Sequence, residues 1–523
     1  MPHLSWAGTP RDHRFASLRS RRRAVSALVV GCLVAAACTG DDTSSIDAAA
    51  EQPAADGPAD STTAPAEPVD ATALEATATS DPATAPTDPP PTTESVPARC
   101  GDDVDPSGPV TITVWHGLGG HVVDRYLPGL IDRFQLAHPG ILVELVKGDL
   151  QYPSGLPEFA DSGSARPDVL YGSNLTVRTQ AESGLFIPVE ACTGGEAPPQ
   201  FDDLLPAVDR LYRVDGTLWG APYNVSTPLL MYDGNVWREA GLDPDDPPAT
   251  IEELLDTARR LHAAEGVAHG LVLYNKSALW LLTETAAKEG RLLIEPANGH
   301  DGDVELVRIV TDEAVALFDE LRQMKADGVV SWTRENTADE DLLQLVQPIS
   351  GSGMTLHTSA ALGDIFRLLD EGLPADVDVR VAPMPGPGPG ATPGGGSWWL
   401  TDGQDPDRVA AAWKFVDWIT QPERVAELAA YTGYIPTTRA AVDDPATVES
   451  WEAHPQMRVA YEQGEATPAT PAAVGLQVGA MVEFLLAIEY GLAEVIDNGA
   501  DPRTELDEAV GLATLALDAY SDR

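Results

Sequence analysis

Between Val110 and Gly172 the chain alternates two hydrophobic periods, and this constrains its fold more than any other feature. "VTITVW" (Val110–Trp115) is β-branched with period two, a strand signal. "DRYLPGLIDRFQLAH" (Asp124–His138) repeats apolar residues at helical spacing and is closed by Pro139 and Gly140. "ILVELV" (Ile141–Val146) predicts a second strand and "PDVLYG" (Pro167–Gly172) a third. Parallel strands need a crossover between them and a helix supplies it, so this order predicts a parallel α/β sheet. Such sheets bind ligands at the carboxyl ends of their strands. Further on, Ile251–Glu265 predicts an amphipathic helix with Thr250 as its N-cap. "GMTLHTS" (Gly353–Ser359) and "VDVRVAPMP" (Val377–Pro385) predict strands, and "PGPGPGATPGGG" (Pro385–Gly396) a loop. From Arg408 the pattern is helical nearly to the end, broken at "TGYIPTT" and at the Pro/Ala-rich residues 465–473. No internal repeat is visible, and 523 residues leave room for two or three domains.

The N-terminal part follows different rules. Arg19, Arg21, Arg22 and Arg23 precede an apolar stretch, Ala24–Ala37, that is short for a membrane span and fits a signal-peptide core. "VAAACTG" resembles a bacterial lipobox, with Cys38 as the lipidated residue, although Ala35 stands where Leu or Val is usual. Plain secretion is the alternative, and "SRRRAV" leaves the Sec and Tat export routes both open. Residues 39–98 are rich in Ala, Thr, Pro and Asp and have almost no large apolar side chains, which predicts a disordered tether. Cys100 and Cys192 remain as an even pair in an oxidising compartment, which predicts a disulfide. The formal net charge of −48 opposes nucleic acid and anionic lipid surfaces as partners.

Catalytic signatures are lacking. His116 and His121 stand five apart in a Gly-rich turn with no third ligand nearby, so no metal is expected. "DPDDPP" (Asp243–Pro248) lacks the Gly and terminal Glu of a calcium loop. No GxSxG, Walker or HExxH pattern occurs, and no cofactor is implied. Among 81 acidic residues many chance pairs could serve glycoside hydrolysis, which keeps a secreted glycan-active enzyme open as an alternative. The aromatics point to binding instead. Trp115, Tyr152, Trp219, Tyr223, Trp280, Trp398, Trp399 and Tyr434 fall at expected strand ends, turns or loop edges, where rings can stack on a small solute.

The order of motifs from Val110 to Tyr520 resembles the extracellular solute-binding proteins of ABC importers, the maltose-binding-like group, and within it the sn-glycerol-3-phosphate-binding branch. The likeness is carried by "ITVWHGLGG", "DGTLWGAPYNVSTPLLMYDGNVWREAGLDPDDPPATIEEL", "PGGGSWWL", "AAWKFVDWITQPE", "TGYIPTTRAAV" and "GLQVGAMVEFLLAIEYGLAEVIDNGADPRTELDEAV". The resemblance implies an α/β, two-lobed periplasmic-binding-protein-like fold with discontinuous lobes joined by hinge crossings. The N-lobe is expected at 99–221 plus 355–405 and the C-lobe at 222–354 plus 406–523, behind a signal peptide (1–38) and the tether (39–98). It also implies capture of a small sugar, polyol or glycerophosphate-type solute without catalysis, by a monomer delivering to ABC permease subunits; with the lipobox-like segment, that monomer is expected on the extracytoplasmic face of the membrane, held by a lipid anchor.

Carried over by position, the family's ligand-binding residues fall on Ser226, Trp280, Thr358 or Ser359, Gly394, Gly395 and Tyr434, with Tyr152 in an uncertain register. Trp115, Tyr223 and Trp398 are further candidates from their place in these motifs. Two positions depart from the family. Ser173 stands where an acidic residue accepts glycerol hydroxyls, and Leu485 stands where an arginine clamps phosphate. No Lys or Arg lies between Arg458 and Arg503. Losing a bidentate guanidinium disfavours free glycerol 3-phosphate, and favours a neutral sugar or polyol, or a glycerophosphodiester with a cationic head group.

Overall fold

The computed structural model describes residues 100–522 other than 102, 119–125, 148–165, 334–351 and 371–376. The expected signal peptide, Cys38, the tether, His121 and Tyr152 lie outside the described residues. Two mixed sheets organise the rest. In chain order their strands are β1 (Val110–His116), β2 (Ile141–Lys147), β3 (Val169–Ser173), β4 (Phe186–Ile187), β5 (Ala221–Ser226), β6 (Pro228–Asp233), β7 (Leu271–Tyr274), β8 (Val330–Thr333), β9 (Met354–Thr358), β10 (Val379–Pro383) and β11 (Gly394–Thr401). The first sheet runs β2-β1-β3-β11-β4, with β5 also on β11, and the second runs β8-β7-β9-β6-β10.

In each sheet one strand runs against all the others, β11 in the first and β6 in the second. β1 pairs in parallel with β2 and β3, and β7 with β8 and β9. β11 is antiparallel to β3, β4 and β5, and β6 is antiparallel to β9 and β10. Each of these two reversed strands follows a crossing, where the chain changes sheet without an intervening helix. The all-parallel expectation therefore holds only for the αβ units.

Helices cover the sheets. They include α1 (Leu127–Ala137), α2 (Ile251–His262), α3 (Asn275–Lys288), α4 (Asp312–Ala326), α5 (Leu362–Asp370), α6 (Pro406–Ile419), α7 (Pro422–Thr432), α8 (Pro445–Ala453), α9 (Gln456–Glu465), α10 (Met481–Asn498) and α11 (Pro502–Ser521). The start of α2 is fixed by a capping box: Thr250 Oγ1 accepts from Glu253 N (3.2 Å), and Glu253 Oε2 accepts from Thr250 N (3.1 Å). It ends at His262, short of the expected Glu265, because the chain turns through Gly266 at φ +86°.

The sheet pairings and two hydrophobic cores correct the expected lobe boundaries. β9 and β10 pair within the second sheet, although residues from 355 onward were expected in the N-lobe. Conversely α6 and α7 pack Val409, Trp413, Phe415 and Leu428 into the first core, although residues from 406 were expected in the C-lobe, while α9 lies against β10 of the second sheet. Only α10 and α11, the long helices after the break near 470, return to the second core. Sequence pattern shows where an element is apolar, not which of two cores it covers. β6 illustrates the ambiguity: Leu229 and Met231 enter the first core while Leu230 and Tyr232 enter the second.

Cys100 and Cys192 are joined by a disulfide that closes 92 positions of chain. Among the described residues, no helix is long and apolar enough to cross a membrane, and no cluster of His, Cys, Asp or Glu is arranged to hold a metal ion.

Candidate functional site

The crossings between the lobes are built around Thr227, which separates β5 from β6. Its N–H donates to Ser359 Oγ (3.2 Å) and its carbonyl accepts from Ser359 N (2.9 Å). Gln463 of α9 donates from Nε2 to Thr227 Oγ1 and Pro228 O, both at 2.8 Å, and its Oε1 accepts from Met384 N at 2.7 Å. Three crossings are thus laced together through buried side chains. Thr467 extends the lacing, its hydroxyl bonding the backbone of Ala391.

On this joint lies a cleft of about 700 Å³, counting the solvent at its mouth. The first lobe contributes Asn174, Leu175 and Gly394, and the crossings contribute Ser226, Thr227, Pro228, Thr358, Thr392 and Pro393. The second lobe contributes Leu279, Trp280, Thr283 and Glu284 from α3, Leu293, and Met481 and Leu485 from α10. The indole of Trp280 is half-buried and held edge-on by Tyr274, with centroids 5.9 Å apart at 83°. Leu485, half-buried against the second core, forms an apolar part of the wall. Among the described lining residues none is Lys or Arg, and Glu284 is the charged one.

Glu284 is 2% exposed. Its Oε2 accepts from Thr392 N at 2.8 Å. Burial raises its pKa to about 7, against the lowering pull of Thr392 and of the Lys288 charge. Lys288 instead donates its ammonium to the carbonyls of Gly388 and Gly390, and burial lowers its own pKa.

The structure brings together Ser226, Trp280, Thr358 and Gly394 from the expected set, and it separates Thr358 from Ser359. Thr358 lines the cleft, while Ser359 is fully buried behind it as the partner of Thr227. Other expectations are corrected. Tyr223 and Trp398 are fully buried in the first core, their rings 5.4 Å apart. The two-residue period of β5 sends Ala221, Tyr223 and Val225 inward together. Trp115 and Tyr434 are half-buried against the same core and are not among the described lining residues of this cleft. Ser173 caps the turn that follows it, accepting from Leu175 N at 3.3 Å, so the next two residues face the cleft instead. Gly395 donates its N–H to Asn174 Oδ1 (3.2 Å). At φ +134° it allows β5 to approach so closely that a Cβ would lie 2.0 Å from Asn224 O. Asn174, Glu284 and Gln463 were not singled out from sequence. Glu284 was within reach, since it stands one turn after Trp280 on the same helix face.

Comparison with known proteins agrees with this geometry. The sequence profile of the bacterial extracellular solute-binding protein family matches residues 129–458, more than half of the chain. The sn-glycerol-3-phosphate-binding periplasmic protein UgpB of Escherichia coli K12 is 29% identical over 414 residues, covering 76% of this chain and 91% of that protein. Its counterpart in Shigella dysenteriae is 30% identical over 420 residues, with the same coverage. Among solved structures, UgpB from Mycobacterium tuberculosis in complex with glycerophosphocholine superposes with a TM-score of 0.64 at 22% identity, over 79% of this chain and 99% of that one. The sugar-binding protein MalE from Xanthomonas citri gives 0.63 at 19% identity, over 78% and 98%. The fold is therefore the two-lobed, maltose-binding-like one that the resemblance implied. The chain belongs to the bacterial extracellular solute-binding proteins and is a solute-binding component of the ABC importer type.

Proposed function

We propose that the cleft captures a neutral or zwitterionic solute, a sugar, polyol or glycerophosphodiester, in preference to a free phosphate monoester. The observation that carries this is the wall: Leu485 and Trp280 line it, and no described lining residue is Lys or Arg. Phosphate monoesters are held best by bidentate, charge-assisted donors, and an apolar wall offers none. Sugars and glyceryl groups are served by what is present: an indole face for stacking, and the short polar groups of Asn174, Ser226 and Thr358 for hydroxyls. The resemblance of "VAAACTG" to a lipobox supports a lipid anchor at Cys38, with the acidic tether giving reach to a permease. A monomer suffices for this role.

A thermal-shift screen with maltodextrins, trehalose, glycerol 3-phosphate and glycerophosphocholine tests the reading. The expected outcome is a raised melting temperature with one neutral or zwitterionic solute and no turnover of it. Tight binding of free glycerol 3-phosphate would overturn the assignment. For the anchor, Cys38→Ser is expected to move the protein from the membrane to the soluble fraction; unchanged membrane association would remove Cys38 from that role.

A further inference from the structure

Helix α3 meets the cleft and a crossing at once. Residues 384–393 carry the chain from β10 of the second sheet to β11 of the first. α3 holds this segment at two places: Lys288 donates to the carbonyls of Gly388 and Gly390, and Glu284 Oε2 accepts from Thr392 N. The approach is so close that a Cβ on Gly388 would stand 2.3 Å from Lys288 O. α3 is itself fixed in the second core by Ala278, Leu281, Leu282 and Ala286. Glu284 also lines the cleft, and at 2% exposure it is kept from water. Among the described residues, Lys288 is the one charged group acting on it. The facing elements bring no other titratable group: the first lobe presents Asn174 and Leu175, the segment before α10 presents Ala472 and Leu476, and α10 presents Met481 and Leu485. A charge so placed is costly, and burial raises the pKa of Glu284 to about 7.

We infer that the cleft closes with uptake of a proton by Glu284, so that acid favours the closed, solute-holding form and alkali releases it. The inference concerns the angle between the lobes and holds for any class of solute. Because the crossing is fastened to α3, the contact with Thr392 persists in either form. Parting of the lobes instead withdraws the wall of Asn174 and Leu175 and admits water, which returns the carboxyl toward its ordinary range. A group whose pKa is higher in the closed form takes up a proton on closing. Its support for closure is whole below the open-form pKa and is lost as pH rises through about 7. A solute held by the closed form alone therefore binds more weakly in alkali. The competing role for Glu284 is purely mechanical, that of pinning Thr392 beside the cleft, and it gives no link between pH and lobe angle.

X-ray scattering of the full-length, solute-free protein from pH 5 to pH 9 separates these roles. The radius of gyration of the wild type is expected to rise across about pH 7. Glu284→Gln keeps an acceptor for Thr392 N–H and cannot ionise, so it should hold the smaller radius at every pH. Lys288→Gln keeps a donor for the two carbonyls and removes the charge that lowers the pKa of Glu284, so its midpoint should move to higher pH. A wild-type radius that stays constant, or falls as pH rises, overturns the inference. So does a Glu284→Gln protein with the wild-type pH dependence. Should that variant fail to fold, an unmoved midpoint in Lys288→Gln overturns it alone. No solute enters the experiment, so its result is separate from the solute class: tight binding of glycerol 3-phosphate would refute that class and leave the proton switch standing.

Discussion

At the scale of single residues, Trp280 and Glu284 divide the chemistry of the cleft. Trp280 offers a half-buried indole whose position is set by Tyr274. Trp280→Ala is expected to weaken solute binding at least about tenfold, roughly 1.4 kcal/mol, while the protein still unfolds cooperatively; calorimetry of binding and thermal melts check the two halves separately. Glu284 affects stability through its proton. Its pKa of about 7 in the folded protein lies above the value of 4.5 for the unhindered group. Between those values the folded protein holds a proton that the unfolded chain has released, so stability falls as pH rises through this window and is flat above it. The loss is on the order of 3 kcal/mol. Denaturant titrations at pH 5 and pH 8 should show this difference for the wild type and a smaller one for Glu284→Gln. Equal pH dependence in both proteins would show that the carboxyl titrates normally.

At the scale of elements, the crossings matter more than the sheets. Gln463 serves three partners on two crossings, Thr227 Oγ1, Pro228 O and Met384 N, and is 4% exposed. Gln463→Ala leaves those groups buried and unpaired, at a cost of about 3 kcal/mol. Denaturant unfolding should show that loss, and a variant as stable as the wild type would mean that water replaces the amide. The sequence disclosed these elements unevenly. β1, β2 and β3 were legible because their period and branching are strong, and α2 because Thr250 and Glu253 spell its cap. The role of Gln463 was not legible, since a glutamine on a helix looks the same whether it faces solvent or two crossings. The burial of Tyr223 and Trp398 was hidden for a related reason: a strand's period shows that alternate residues share a face, but not which face meets the core. Ser226, at the end of the same strand, was found because a family motif fell on it.

At the scale of the whole molecule, binding by lobe closure requires that the lobes touch through contacts able to open. Away from the Thr227 joint, one such contact centres on Arg178, in the turn of helix after β3 that packs Val177 and Ala181 into the first core. Its guanidinium donates from Nε to Gln477 O (3.0 Å) and from Nη2 to Gly299 O (2.8 Å), both in segments attached to the second core. Glu182, which pairs with Arg178, also accepts from the hydroxyl of Tyr520 in α11 at 2.7 Å. The amide of Gln477 adds neutral bonds to Leu211 O and Arg213 O, but the donors of Arg178 are the charge-assisted ones, so removing them should shift the balance between closed and open forms without disturbing either core. Arg178→Ala is expected to enlarge the radius of gyration of the solute-free protein in X-ray scattering, and saturating solute should restore the wild-type value. Apparent affinity should fall in proportion to the lost closed fraction, because solute must then drive closure as well as bind. An unchanged radius together with unchanged affinity would mean that the Thr227 joint alone sets the angle between the lobes.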